Sequence, residues 1–289
     1  MPATLTPAQP FSFDQTLTFI KRFPPCQGEY IVEDDSVTAA VTLGGRAVPL
    51  TIRRRGRDVQ ALEIETPRAE DAKAAAAHAA HWIGADDDVS ALYAAARGDA
   101  PFTRLIERLH GLHHVRFLTL EEISVYCVMM QRSPITRASQ MKRRFLDRFG
   151  VPVEVGGRTL RAMPELAALA KLDGEEIGQA IRHAPKGQTI ANVIRGVAAI
   201  GLATLRDAPY AEARDALLSI KGIGPFSAGA ILLRGLGRMD EVPSVTMFAE
   251  DAAMIYGRAI DETAIARRYG RQIGYWGFYV KTGAARLRE

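Results

Sequence analysis

The residues best placed to do chemistry lie in one stretch, Leu217-Leu218-Ser219-Ile220-Lys221-Gly222-Ile223-Gly224-Pro225-Phe226-Ser227-Ala228. An apolar helical run over 211–220 stops at Gly-Ile-Gly, and a second helix begins with Pro225. Proline suits a first helical position because its missing N–H would have had no intrahelical partner there. Gly222 and Gly224 tolerate positive φ, and without side chains they let another molecule approach the backbone. The loop therefore points N–H groups outward at a helix N-terminus, an arrangement that takes a phosphate. Lys221, Gly222, Ile223, Gly224 and Phe226 are the residues expected to meet it.

Other chemistry-bearing types are scattered. His113 and His114 are adjacent, with no Asp, Glu or Cys at the helical or hairpin spacing a metal site needs. Asp240, Glu241, Glu250 and Asp251 follow the glycine loop. They read as a solvated loop and as a surface helix face or structural ion pairs. Cys26 and Cys127 lie far apart without metal-ligand spacing and read as reduced thiols of an intracellular protein.

The elements that must position these residues divide in two. Residues 13–23 carry apolar positions at helical spacing and end at Pro24-Pro25. From 28 to 66 the period becomes two, with strands over 30–32, 37–43, 48–52 and 59–64 and turns at Asp34-Asp35 and Gly44-Gly45. The first ten residues are Pro-rich and read as loose. Arg53-Arg54-Arg55 with Arg57 reads as a charged, solvated strand end. An Ala-rich helix over 67–81 leads out of the sheet, and from Trp82 onward the pattern is almost wholly helical. The expected fold is α+β: a small antiparallel sheet domain over 1–82, then a two-lobed helical body over 83–289 with a cleft between its lobes.

Bulk properties narrow the classes. The chain has 289 residues, 47% of them hydrophobic, and a net charge of +4, enough for a sizeable core and a mild basic excess that suits a polyanion. No apolar run reaches the ~18 residues that span a bilayer, and no basic-then-apolar leader opens the chain. A cytoplasmic, nucleoid-associated monomer is expected.

The pattern L-x-x-I-x-G-I-G-P-x-x-A resembles the helix-hairpin-helix of base-excision DNA glycosylases, most nearly the bacterial 3-methyladenine DNA glycosylase II group. The resemblance extends to 11–50, to His81-Trp82-Ile83-Gly84-Ala85-Asp86-Asp87-Asp88, to the helix ending in Gln131 and to Phe149-Gly150. It implies double-stranded, damaged DNA as partner and excision of alkylated purines by base flipping and N-glycosidic hydrolysis. It implies no required cofactor beyond a sodium or potassium ion held by the carbonyls of Leu218, Ile220 and Gly222.

The resemblance also assigns parts. His114, beside His113, falls where the family carries an intercalating leucine; a wedge and a polar surface pair are equal readings. Phe226 takes the place of a family tryptophan, and Gln272 and Ile273 that of an aromatic and an arginine. Phe226, Gln272, Tyr275, Trp276 and Gln131 are the candidates for the base pocket, while most of the aromatics Tyr269, Tyr275, Trp276, Phe278 and Tyr279 read as core with one or two reaching the cleft. The family's catalytic Asp, two residues after a Pro and about a dozen before Tyr-Gly, falls on Val245, between Pro243 and Tyr256-Gly257. Asp240, Glu241 and Asp251 are weak substitutes, and Glu250 is rotated away. Lys221 precedes the hairpin's first glycine, whereas the family's Schiff-base lysine lies in the second hairpin helix, so that route is rejected. The alternative function is therefore a catalytically inactive lesion binder.

Overall fold

The structure is a computed structural model that describes residues 3–56 and 58–288, so Arg57 lies outside the described residues. Five strands, β1 (Ala3–Leu5), β2 (Ile31–Val32), β3 (Ser36–Leu43), β4 (Arg46–Arg55) and β5 (Asp58–Glu65), form an antiparallel sheet in the order β1-β5-β4-β3-β2. Gly44 and Gly45, both at positive φ, close the β3–β4 hairpin, as a two-residue turn with the twist of the strands requires. Helices α1 (Phe13–Arg22) and α2 (Ala72–Ile83) cover the sheet. Phe13, Leu17, Ile20, Ala75, Ala79 and Trp82 pack there against strand residues such as Val41, Leu50, Ile52 and Ile64. Arg53, Arg54 and Arg55 pair with Asp35, Asp14 and Glu63, in keeping with charges on a strand end.

The rest is mostly helical: α3 (Ser90–Ala95), α4 (Ala100–Arg108), α5 (Leu120–Met130), α6 (Ile135–Phe149), α7 (Leu166–Leu169), α8 (Gly174–Ile181), α9 (Ala184–Ile200), α10 (Leu202–Asp207), α11 (Tyr210–Leu218), α12 (Pro225–Ala230), α13 (Ala249–Tyr256), α14 (Glu262–Tyr269) and α15 (Ile273–Leu287). One core gathers Tyr126, Phe145, Ile190, Ile194, Leu217 and Ile231, from α5, α6, α9, α11 and the end of the second hairpin helix. A second gathers Leu92, Phe102, Ile265, Trp276 and Tyr279, from α3, α4, α14 and α15. The chain enters the second core, builds the first and returns, so each lobe needs residues distant in sequence.

Two departures from the sequence reading have simple causes. The Pro-rich start is not loose: Ala3–Leu5 pairs with Leu62–Ile64 and supplies an edge strand. The helical body is interrupted by a hairpin of β6 (Val151–Val155) and β7 (Arg158–Ala162), turned at Gly156-Gly157. Its Leu160 and Ala162 pack on Ala40 of the sheet. The signal was present in the alternation of Val151, Val153 and Val155 before two glycines, but it is short and flanked by helices.

Candidate nucleic-acid interface

The glycine loop joins α11 to α12 and is rooted from below. Ile220 and Ile223 are buried in the first lobe's core with Leu217 and Ala228, while Lys221, Gly222, Gly224, Pro225 and Phe226 are exposed. Gly222 sits at φ +107, in the region that glycine adopts freely. Gly224 is the residue before α12, with Pro225 at its first position. The Ile223 N–H donates to the Ile220 carbonyl at 3.0 Å. Among the described residues no acceptor takes the N–H of Gly222 or Gly224. Two free amide protons on exposed glycines beside a helix N-terminus form an anion cradle. Ile223, expected at the phosphate, is instead the loop's inward anchor.

Beside the loop runs a groove of about 710 Å³, lined by Met130, Gln131, Arg132, His183, Lys186 and Phe226 with neighbours on the same three segments. Gln131, at the end of α5, donates through Nε2 to the Gly222 carbonyl at 2.8 Å and to Ser227 Oγ at 3.1 Å. Lys186 crosses beneath, its Nζ 2.5 Å from the Met129 carbonyl oxygen, 2.7 Å from that of Gln131 and 3.0 Å from Ser133 Oγ. The ammonium thus caps the carbonyl end of α5. Phe226 is 46% exposed at the groove's edge, a face on which a base can stack. No acidic side chain is among the groove's lining residues.

The other expected pocket and wedge residues are elsewhere. His113 and His114 are fully buried. The ring nitrogens of His113 face the Gly84 and Pro10 carbonyls at 2.7 and 2.9 Å. His114 accepts from Arg234 at 2.8 Å and packs edge-on against Phe278. Burial, then the charges of Arg234 and Arg116, hold the His114 imidazole well below its ordinary pKa. Neither residue is a wedge or a surface pair; both are core, because this segment threads between the sheet domain and the second lobe. Tyr275 and Trp276 are core as well. The Tyr275 hydroxyl donates to Asp87 and accepts the His114 N–H, and the Trp276 indole donates to the Tyr256 hydroxyl at 3.1 Å. Gln272 is half-buried in the turn before α15. Of the pocket candidates, the structure brings only Phe226 and Gln131 to the groove.

The basic residues also sort themselves. Lys221 is exposed beside the loop. Arg234 is enclosed by Phe19, Phe23 and Phe278, and burial pushes its pKa down to about 10. Lys142, which stands among the basic residues of α6, is fully buried and pairs with Glu29 at 2.6 Å and with Glu122. Cys26, Glu29 and Glu122 form a group with metal-ligand potential among the described residues. The Lys142 ammonium, 3.3 Å from the Cys26 sulfur, occupies its centre and supplies the positive charge.

Val245 opens a 3₁₀ turn, Val245–Phe248, and is half-buried against the second core. The three acids considered in its stead are all engaged: Asp240 with Arg271 at 2.6 Å, Glu241 with Arg214 at 3.2 Å, and buried Asp251 with Lys281 at 3.3 Å and Arg288 at 2.6 Å. Sequence spacing missed another acid. Glu262, sixteen residues beyond Thr246, accepts from the Thr246 Oγ1 at 2.8 Å because α14 folds back on the 3₁₀ turn. Only the Asp261-Glu262 pair at a helix start marks it in the sequence. For a monovalent ion, the carbonyls of Ile220 and Gly222 already accept from Ile223 and Gln131. Each keeps a second lone pair, so the donor set remains suited to a cation.

No protein-family model matches the chain. It is 25% identical over 157 residues to a DNA-3-methyladenine glycosylase of Bacillus subtilis (strain 168), covering 54% of this chain and 52% of that protein. It is 25% identical over 198 residues to a probable bifunctional transcriptional activator/DNA repair enzyme AlkA of Mycobacterium tuberculosis, covering 68% of this chain and 39% of that protein. The match thus spans about half or less of the length of these curated relatives. Among solved structures, the fold is similar to that of a 3-methyladenine DNA-glycosylase from Archaeoglobus fulgidus (TM-score 0.79, 20% identity, 96% of each chain). It is also similar to that of a Clostridium acetobutylicum 8-oxoguanine glycosylase/lyase in complex with double-stranded DNA (TM-score 0.71, 14% identity, 100% of this chain and 99% of that one). With the glycine hairpin and the sheet-plus-two-lobe body in place, these likenesses show that the chain has the fold of the helix-hairpin-helix DNA glycosylases and is similar in sequence to DNA-3-methyladenine glycosylases.

Proposed function

We propose that this protein binds damaged duplex DNA through the Gly222–Gly224 loop and excises alkylated purines by base flipping and hydrolysis of the N-glycosidic bond. The observation that carries the reading is the pair of free amide protons on exposed glycines, rooted by Ile220 and Ile223 and flanked by the Phe226 groove. A phosphate held there fixes the strand, and Phe226 offers a stacking face within the same groove. Purines methylated at N3 or N7 fit best as substrates, because their positive charge already weakens the bond to the sugar. The hairpin carbonyls are suited to a sodium or potassium ion, and the protein acts as a cytoplasmic monomer at the nucleoid.

A second reading, a lesion binder without turnover, is favoured by Val245 and by the ion pairs that engage Asp240, Glu241 and Asp251. Single-turnover assays on duplexes carrying 3-methyladenine or hypoxanthine separate the two, run beside Val245→Asp. The excision reading predicts release of 3-methyladenine and much slower release of hypoxanthine. Binding with no release of either base supports the second reading. Absence of duplex binding contradicts both.

A further inference from the structure

The groove beside the glycine loop holds more polar chemistry than a backbone clamp needs. Several of its polar side chains are already committed. Lys186 Nζ donates to the Met129 and Gln131 carbonyls and to Ser133 Oγ. Thr189 Oγ1 donates to the Pro185 carbonyl at 3.0 Å, and Ser227 Oγ accepts from Gln131. Gln131 and His183 each keep one polar atom uncommitted, and the fold decides which.

The Gln131 amide cannot turn over without losing both bonds of its Nε2, to the Gly222 carbonyl and to Ser227 Oγ. Its remaining group is therefore the Oε1 acceptor. His183 is the N-cap of α9, where its Nδ1 accepts from the Lys186 N–H at 3.4 Å. A backbone N–H can only donate, so Nδ1 carries no proton and the neutral ring has its proton on Nε2. Among the described residues no protein group bonds to Gln131 Oε1 or His183 Nε2. Both residues line the groove and are half-buried. The wall thus presents one acceptor and one donor of fixed polarity, with the exposed Phe226 ring at its edge.

We propose that this groove reads one unpaired nucleobase, which stacks on Phe226 while its pairing edge accepts from His183 Nε2 and donates to Gln131 Oε1. The proposal rests on the duplex-binding reading above. A phosphate on the glycine amides brings the adjoining nucleotide to this groove, because Phe226 follows Gly224 by two residues. The volume of about 710 Å³ falls within the roughly 300–1,000 Å³ of small-molecule sites, ample for one nucleotide. A paired base spends the same edge on the opposite strand and lies sandwiched between its neighbours. Only a base outside the stack offers both its face and its edge. The groove therefore selects an unpaired nucleotide by stacking and checks its edge by two hydrogen bonds.

The test uses the full chain and otherwise identical duplexes: one fully paired, one with a bulged thymine, and one with a bulged difluorotoluene nucleotide, which has thymine's shape without its hydrogen-bonding edge. Equilibrium binding of the unmodified protein is expected to favour the thymine bulge over the paired duplex by at least about tenfold, the scale of one base stacked on an aromatic ring. Phe226→Ala should remove most of the preference for either bulge. His183→Ser keeps a capping oxygen for α9 but is too short to reach the base. It should weaken binding of the thymine bulge by about fivefold and leave the difluorotoluene bulge unchanged. A merely structural His183 would weaken both bulges alike, and that result overturns the proposal. So does equal affinity of the unmodified protein for the paired and bulged duplexes. Failure of the unmodified protein to bind any of the duplexes overturns the duplex-binding reading itself.

Discussion

Gln131 and Gly222 are joined across 91 residues: the Gln131 amide donates to the Gly222 carbonyl at 2.8 Å and ties the end of α5 to the glycine loop. The bond holds the loop's peptide plane, and with it the direction of the neighbouring N–H groups. Gln131→Leu removes it but leaves an exposed carbonyl that water can satisfy. The stability cost is expected to stay near 1 kcal/mol, while duplex affinity falls about fivefold as the loop loses its fixed orientation. Denaturant unfolding and equilibrium binding check the two halves. A large loss of stability with unchanged affinity would show that the bond serves the fold and not the interface.

Asp99 organises the second lobe from a buried position. It caps α4 through the Phe102 N–H and accepts from the Tyr256 and Tyr269 hydroxyls at 2.7 and 2.8 Å, so it ties α4 to α13 and α14. Asp99→Ala leaves the buried Tyr269 hydroxyl and the half-buried Tyr256 hydroxyl without their acceptor and uncaps a helix start, at an expected cost of about 3 kcal/mol. Asp99→Asn keeps one acceptor and should cost markedly less. Urea unfolding of both variants measures the difference.

Two part-buried groups set opposing pH dependences. Burial, then Arg116, lowers the His81 pKa from 6.5 to about 4. Its contribution is therefore complete above pH 6.5 and is lost as pH falls toward 4. Burial raises the Glu29 carboxyl from 4.5 to about 7 despite Lys142. The folded protein keeps that proton longer, so this contribution is present below pH 4.5 and is lost as pH rises through 7. Glu29→Gln removes the second slope alone. Relative to the unmodified protein, the variant should gain about 1–2 kcal/mol between pH 4.5 and 8, a modest figure because the Glu29 side chain is 20% exposed. Unfolding at both pH values reads it directly, and a constant difference between the two proteins would contradict the assignment.

The hairpin was legible in the sequence because its signals are local. Glycines at a turn, Pro225 at a first helical position and isoleucines at helical spacing each act within a few residues. The sheet was legible through its period of two. His113 and His114 were misplaced because their burial depends on distant partners, the Gly84 and Pro10 carbonyls for His113, 29 and 103 residues away, and Arg234 for His114, 120 residues away. Tyr275 and Trp276 were placed in the pocket by their type, yet α15 turns them into the second core. Lys142 reads as surface from its basic neighbours, and only the fold reveals Glu29 and Glu122 around it. Glu262 was missed for the same reason, since its link to Thr246 exists only once α14 folds back.

The central claim, that the glycine loop grips the DNA backbone, is tested most directly at Gly224. Its φ of −105° suits any residue, and nothing lies within 4 Å of an added Cβ, so substitution leaves the fold undisturbed. Gly222 is a poorer probe, because an added Cβ would meet Thr189 Cγ2 at 2.5 Å. The measurement is duplex affinity as a function of salt for the unmodified protein and Gly224→Glu, with thermal unfolding alongside. The account predicts an unchanged melting temperature, at least about tenfold weaker binding and a shallower salt dependence, as one phosphate contact is lost. Equal affinity and equal salt slope in the two proteins would contradict it.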